Sequence, residues 1–420
     1  MIEPGSPCRG RVRGALCAVA ATCMLWTAGP AAAQFDPDSA AVQEAYSGAA
    51  TQAKVAAARA GLLQVLSAVA NSRVFSSSFD FSVSSGGLGL SPSFNQPPAL
   101  FITSTLEALS DADLGPPGAL LLDSTRLRAL ASFASARDIT VGAGGAIIDT
   151  DSFTLTLSGD LTADGALVKE GAGVLELTGS NVWNEQPFVA EGRLRGNSAS
   201  LATSISTASS SLVPTDPIAE IEFEQVIDGT YSGEISGAGV LLKSGGGTLS
   251  MDAAQSNSGG TVLSGGTLRL LGAGTLGAGA VSMTAGTLLD LSGSNDAFVA
   301  VRGLSGDGTV DLGANRLEIF NASSTFGGGI SGSGGVTLRD TALTLTGVST
   351  YLGATLLDDA ALILSGAGAL GERTIVHQDS GSSFSIAGAD GDRAVGALSG
   401  SGGSVALGDN TRHPRAARWR

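Results

Sequence analysis

The chain has 420 residues, 43% hydrophobic and only 15% charged, with 61 glycines and a formal net charge of −15. So hydrophobic a chain is not disordered, because disorder goes with low hydrophobicity and high net charge. The acidity argues against nucleic acid and anionic lipid as direct partners.

Residues 1–33 read as a secretion signal. Arg9, Arg11 and Arg13 precede an apolar run from Gly14 to Gly29, and Ala31 and Ala33 are the small residues of an A-x-A cleavage site ahead of Gln34. The run is short for a membrane span. Cys8, Cys17 and Cys23 all lie inside it, so the mature chain has no disulfide and no thiolate metal site. Leaving out this segment and the last ten residues, 16 basic residues face 37 acidic ones, a net of −21 whose bland reading is a solvated surface.

Residues 34–117 are read as an alanine-rich helical segment followed by a Ser/Pro/Gly-rich linker. Ala56, Leu62, Leu63, Leu66, Val69 and Ala70 fall at helical spacing within Ser39–Ser72, with Asp38 or Ser39 as cap. Residues 73–100 lose periodicity. A second helix is predicted over Thr103–Ala112, and Pro116-Pro117-Gly118 closes the section.

From Gly118 to residue 410 the apolar period becomes two, in short runs cut by glycine, aspartate or serine. A longer repeat is superimposed. GEISGAGVLLKSGGGTLSM at 233 matches GGISGSGGVTLRDTALTLT at 328, and GLSGDGTVDLGAN at 303 matches ALSGSGGSVALGDN at 397. Ile235 and Ile330 are 95 positions apart, and Leu304 and Leu398 are 94 apart, so the two registers agree. A lone strand–turn–strand unit buries too little surface, whereas rungs stacked at the ~4.8 Å strand spacing share one core. The predicted fold is all-β, a right-handed parallel β-helix, with a two-sheet sandwich array as the alternative. In LVKEGAGVLELTG, residues 167–179, Leu167, either Val174 or Leu175, and Leu177 are the expected core residues. Gly171 and Gly173 are expected to turn a corner that other residues reach only with strain, and Lys169 and Glu170 to face solvent.

The span from Ala136 to Leu201 resembles the passenger-associated β-strand repeat of bacterial autotransporters. It carries Arg137-x-Ile139-Thr140-Val141, then Gly144-Gly145-x-Ile147, and then the landmarks Lys169, Gly171, Gly173, Leu175, Leu177 and Gly179. DGTYSGEISGAGVLLKSGGGTLSM is similar to the start of another copy. The likeness extends over roughly residues 118–410. It implies a β-helical passenger displayed outside the outer membrane of a Gram-negative bacterium. It also implies export through a C-terminal β-barrel, and no stretch of this chain supplies the strands of such a barrel. The expected partners are therefore an outer-membrane translocator barrel not encoded here and, for an adhesive passenger, a host or neighbouring-cell surface. Residues 411–420, with four arginines, depart from the preceding composition and read as an aberrant basic tail ending a truncated passenger; a genuine basic tail is the other reading.

Chemical motifs reduce to turns and surface. Gly272-x-Gly274-x-x-Gly277 and Gly366-x-Gly368-x-x-Gly371 are each followed by strand-like sequence, whereas a dinucleotide site needs a helix, so both are read as corners. QDSGSS around Ser380 resembles a serine-protease nucleophile segment, but His377 and His413 are the only histidines and neither fits a protease base. Asp149 with Asp151, Glu220 with Glu222 and Glu224, and Asp358 with Asp359 could support sugar chemistry; solvated strand edges account for them equally. SGDGTVD at 305–311 is a single weak calcium-loop candidate. Trp183, Tyr231 and Tyr351 sit at repeat landmarks and are assigned packing or turn roles. No catalytic, cofactor-binding or metal set emerges. The expected function is an exported passenger with a structural and display role, supporting secretion and adhesion. The alternatives are a carbohydrate-active lyase or hydrolase, or the product of a broken gene.

Overall fold

A computed structural model describes residues 81–84 and 87–90 as backbone, and residues 100–208 and 218–410 with side chains. The signal segment, the helix expected over Ser39–Ser72 and the basic tail lie outside the described residues. Within the stretch read as linker, Phe81–Ser84 and Gly87–Leu90 pair as an antiparallel hairpin. It belongs to a unit distinct from the one that begins at Ser93.

The second unit is a parallel β-solenoid with three faces, visited in fixed order. Thr154–Leu157 lies on the first, Leu161–Ala163 on the second, Leu167–Glu170 on the third, and Val174–Leu177 is back on the first. The first face is one continuous sheet of 14 strands, from Phe133–Ser135 to Ser404–Ala406. The second is a four-stranded and then a six-stranded sheet, and the third a seven-stranded and then a six-stranded sheet. Every pairing in this unit is parallel, as expected where short corners return the chain one rung along instead of folding it back.

The core follows from register. Leu155, Leu175, Leu194, Ile221 and Leu241 are successive partners on the first face, and each is at most 1% exposed. Alternation sends these residues inward on every rung, and each buried aliphatic side chain contributes about 1.5–3 kcal/mol. Leu175 and Leu177 are inside and Val174 faces out, which resolves the alternative left open above. A single cluster runs from Ala108 to Leu398.

The helix predicted over Thr103–Ala112 is not formed. Ser104–Ala108 is a strand paired with Thr125–Ala129, followed by a 3-10 turn at Asp111–Leu114 in which Asp113 accepts from the Ser110 amide. The stack therefore starts before Gly118. The segment's own helical signal is outweighed by a ready-made sheet edge, since a four-residue turn gains little from helix propensity.

The long repeat does not return to the same face. Ile235 lies on the third face and its counterpart Ile330 on the second; Leu304 lies on the first and Leu398 on the third. Local contacts are nonetheless reproduced. The Asn315 amide donates to Leu291 O and Ser294 O, and the Asn410 amide to Ile386 O and Ala389 O. The repeat thus advances the chain by a non-integral number of turns, and the same local unit serves different faces.

Candidate functional site: lysine-capped corners and outer charge ladders

Lys169 points inward, contrary to expectation, and is 1% exposed. Its ammonium donates to Glu170 O at 2.7 Å and Gly171 O at 2.6 Å in its own corner, and to Glu191 O at 3.1 Å on the next coil. Lys243, fully buried, does the same with Ser244 O at 2.8 Å, Gly245 O at 2.9 Å and Gly265 O at 2.9 Å. An ammonium has three N–H donors and no acceptor, so three converging carbonyls match it. Burial pulls both lysines down to about 8. Asp149, Glu191 and Glu170 oppose this at Lys169, and Asp228 opposes it at Lys243.

The glycines make this cage possible in two different ways. Gly171, at φ +79°, turns its carbonyl toward the ammonium, and Gly245 at φ +75° repeats the turn. Gly173 has no such φ; a side chain there would collide with the Phe153 backbone of the preceding coil. Gly179 meets the same restriction from Gly159. The corner expected of both Gly171 and Gly173 is therefore the work of Gly171, while Gly173 permits close stacking. Lys169 sits on the third face and Lys243 on the first, so this motif too is independent of face.

Outside, acids stand in ladders with arginines. Arg126 bridges Asp149 at 3.2 Å and Glu170 at 2.6 Å, and Arg128 reaches Asp151 at 3.2 Å. Glu222 lies between Arg193 at 3.0 Å and Arg195 at 2.8 Å, with the Ser244 hydroxyl donating to it at 2.7 Å. Burial works to raise the Glu222 pKa, but Ser244, Arg195 and Arg193 outweigh it and hold the carboxyl below its usual range. Glu224 is exposed at the strand end. Arg339 pairs with Glu318 and Asp358, and Arg269 with Asp290. Of the carboxylates singled out as candidate acids, Asp149, Asp151, Glu220, Glu222 and Asp358 thus support ion pairs with arginines.

The remaining candidates also fall into structural places. Gly272 and Gly366 are corners at φ +55° and +56°, each beside a register shift, and each is followed by strands, at Val281–Met283 and Ile375–Gln378. His377 is exposed and meets the Ser399 hydroxyl at 3.0 Å; Asp379 accepts from Ser382 and from the Asp359 and Gly381 amides. Asp311 caps the Gly313 amide at 2.9 Å. Tyr231 is buried against Phe223, centroids 4.7 Å apart, and its hydroxyl donates to Thr203 O at 2.7 Å. Trp183 donates to Ser200 O, and Tyr351 is buried beside Thr355. Asp358, Asp359 and Asp379 lie close enough to share an ion, but Asp358 is already engaged with Arg339 and Asp379 with the Asp359 and Gly381 amides.

A parallel solenoid whose corners are closed by lysine and glycine is a repeat scaffold. Residues 167–194 and 241–270, which contain the two lysine corners, match the passenger-associated-transport-repeat family. The chain is 29% identical over 231 residues to the adhesin BmaC autotransporter of Brucella suis biovar 1 (strain 1330). That alignment takes in 53% of this chain and 6% of the relative, so the chain spans a small fraction of that protein. No solved structure matches. The chain thus carries two stretches of the passenger-associated-transport repeat and is similar over about half its length to an autotransporter adhesin.

Proposed function

We propose that this passenger is exported to the surface of a Gram-negative cell and displays its outer faces for adhesion to a host or neighbouring cell. An outer-membrane barrel is its translocating partner, and the coil is right-handed, as parallel crossovers are. The observation that carries the reading is the coincidence of both family repeats with the lysine corners. The chemistry that the two copies share is thereby spent on stacking coils, and the outer faces are left free to vary. The similarity to an adhesin favours adhesion, and the arginine-paired carboxylates favour display over catalysis.

The test uses the purified full chain. Saturable retention on fixed cells, with no reducing ends or unsaturated uronates released from a polysaccharide panel, is the expected result. Release of sugar products that disappears in Glu222→Gln overturns it in favour of a lyase or hydrolase.

A further inference from the structure

The first face changes character halfway along. One outward column runs in register through Thr156, Glu176, Arg195 and Glu222, and then through Leu242, Val262, Ser282 and Ser305. It continues through Thr325, Thr344, Ile363, Ser385 and Ala406. From Leu242 onward no charged side chain occupies it. The neighbouring outward column, Ala342, Ala361, Ser383 and Ser404, is uncharged too. The other faces over the same coils carry Arg269, Asp290, Arg316, Glu318, Arg339 and Asp358. In a chain of net charge −15, this is a large area cleared of charge.

We propose that this half of the first face is a self-association surface, whose partner is the same face of a second copy of the chain. Two copies approaching elsewhere bring net like charge together; here the facing columns are uncharged and like charge meets only at the rim. The patch has nine strands, about 38 Å at the sheet spacing. With a width of about 14 Å, it buries about 1,100 Å² over both copies, just above the ~1,000 Å² that separates specific interfaces from incidental ones. A two-fold axis near Thr325 makes the contact self-complementary. Ser305, Thr325 and Thr344 then meet around the axis, and the Leu242–Val262 end meets the Ser385–Ala406 end. Exposed Asp307, Asp340, Asp359 and Asp390, together with Arg302, stand at corners bordering the face and form a charged, predominantly acidic rim. The modest area makes the pairing weak between single molecules; many copies on facing cells would multiply it. The inference does not depend on export or adhesion, because it concerns the isolated chain.

Sedimentation of the full chain, from micromolar to millimolar concentration, tests it. A reversible dimer is expected. Salt should strengthen it, because four acids against Arg302 leave each rim net acidic and screening relieves their repulsion. Ser282→Glu and Thr325→Glu should each weaken the dimer at least about tenfold, or about 1.4 kcal/mol. Glutamate is tolerated in this column, as Glu176 and Glu222 show, and an unchanged urea midpoint verifies folding. Ala300→Glu on the third face should leave the dimer intact. A chain that stays monomeric at millimolar concentration overturns the proposal. So does a dimer that ignores Ser282→Glu and Thr325→Glu, or one that Ala300→Glu weakens equally.

Discussion

Lys169→Met tests the meaning of the repeat motif directly. Methionine keeps an apolar stem of similar length and removes the three donors held by Glu170 O, Gly171 O and Glu191 O. Two terms oppose each other. The fall of the lysine from 10.5 to about 8 means that the buried corner disfavours the charge by about 3 kcal/mol, which methionine recovers. Hydrogen bonds from a charged donor contribute about 1.5–3 kcal/mol each, and three of them outweigh that recovery. Glu170 O keeps the Thr150 amide at 3.0 Å, so the damage concentrates on Gly171 O and on the link to the next coil. A net loss of about 2–5 kcal/mol is expected. Urea unfolding followed by circular dichroism reads the loss. Because stacked coils need not unfold as one, hydrogen exchange at the Thr150 and Gly173 amides should locate it at that corner. Lys243→Met should behave alike, although it lies on a different face. If both variants fall within about 0.5 kcal/mol of the parent, the ammonium is not a net clamp and the account of the motif fails.

Three further outcomes are expected. With folded lysines at about 8 and unfolded ones near 10.5, the unfolded chain holds more protons between those values. Stability should therefore rise with pH across that window by about 3 kcal/mol per corner, and a Lys169→Met/Lys243→Met double variant, followed by urea midpoints at each pH, should lack the rise. Gly173→Ala should cost about 1–3 kcal/mol by urea titration, as its Cβ is forced onto the Phe153 backbone, even though its φ suits any residue. Glu222 has a lowered pKa, so its stabilisation is complete above the ordinary value of 4.5 and lost as pH falls through the lowered one. Glu222→Gln should start less stable at neutral pH and show a shallower acid decline in thermal melts.

The sequence alone revealed the parallel stack, because period-two apolar runs closed by glycine have few other ways to bury their faces. It also placed Leu167 and Leu177 inside, left Val174 or Leu175 open between them, and read both G-x-G-x-x-G matches as corners. Lys169 was misread for a physical reason. A charged residue before a Gly-x-Gly turn looks solvated by composition, and only the positive φ of Gly171 and the position of the next coil create its three acceptors. The signal that could have found it is the second lysine, Lys243, at the same place before Gly245. Cross-coil pairs such as Arg126 with Glu170 were equally hidden, since 44 residues separate partners that the rungs bring together. The Thr103–Ala112 segment failed because helical spacing in so short a run says less than an available sheet edge.

The displacement of the repeat from face to face explains how one scaffold separates stacking from recognition. Were the motif tied to a face, its lysines would line up on one side and copies would have to be spaced by whole turns. Instead Lys169 and Lys243 close corners on different faces with the same three-carbonyl geometry, and Asn315 and Asn410 do likewise with theirs. Only the corner is specified, so coils of unequal length are accommodated wherever a corner can be closed. The spacing from Leu194 to its partner Ile221 exceeds that from Leu175 to Leu194, yet the inward ladder continues unbroken. Outward positions are then constrained only by their neighbours along a column. The same column can carry Glu176, Arg195 and Glu222 in one half and Ser282, Ser305 and Thr325 in the other, at no cost to the core. A surface built this way can differ sharply between passengers that share every inward residue type.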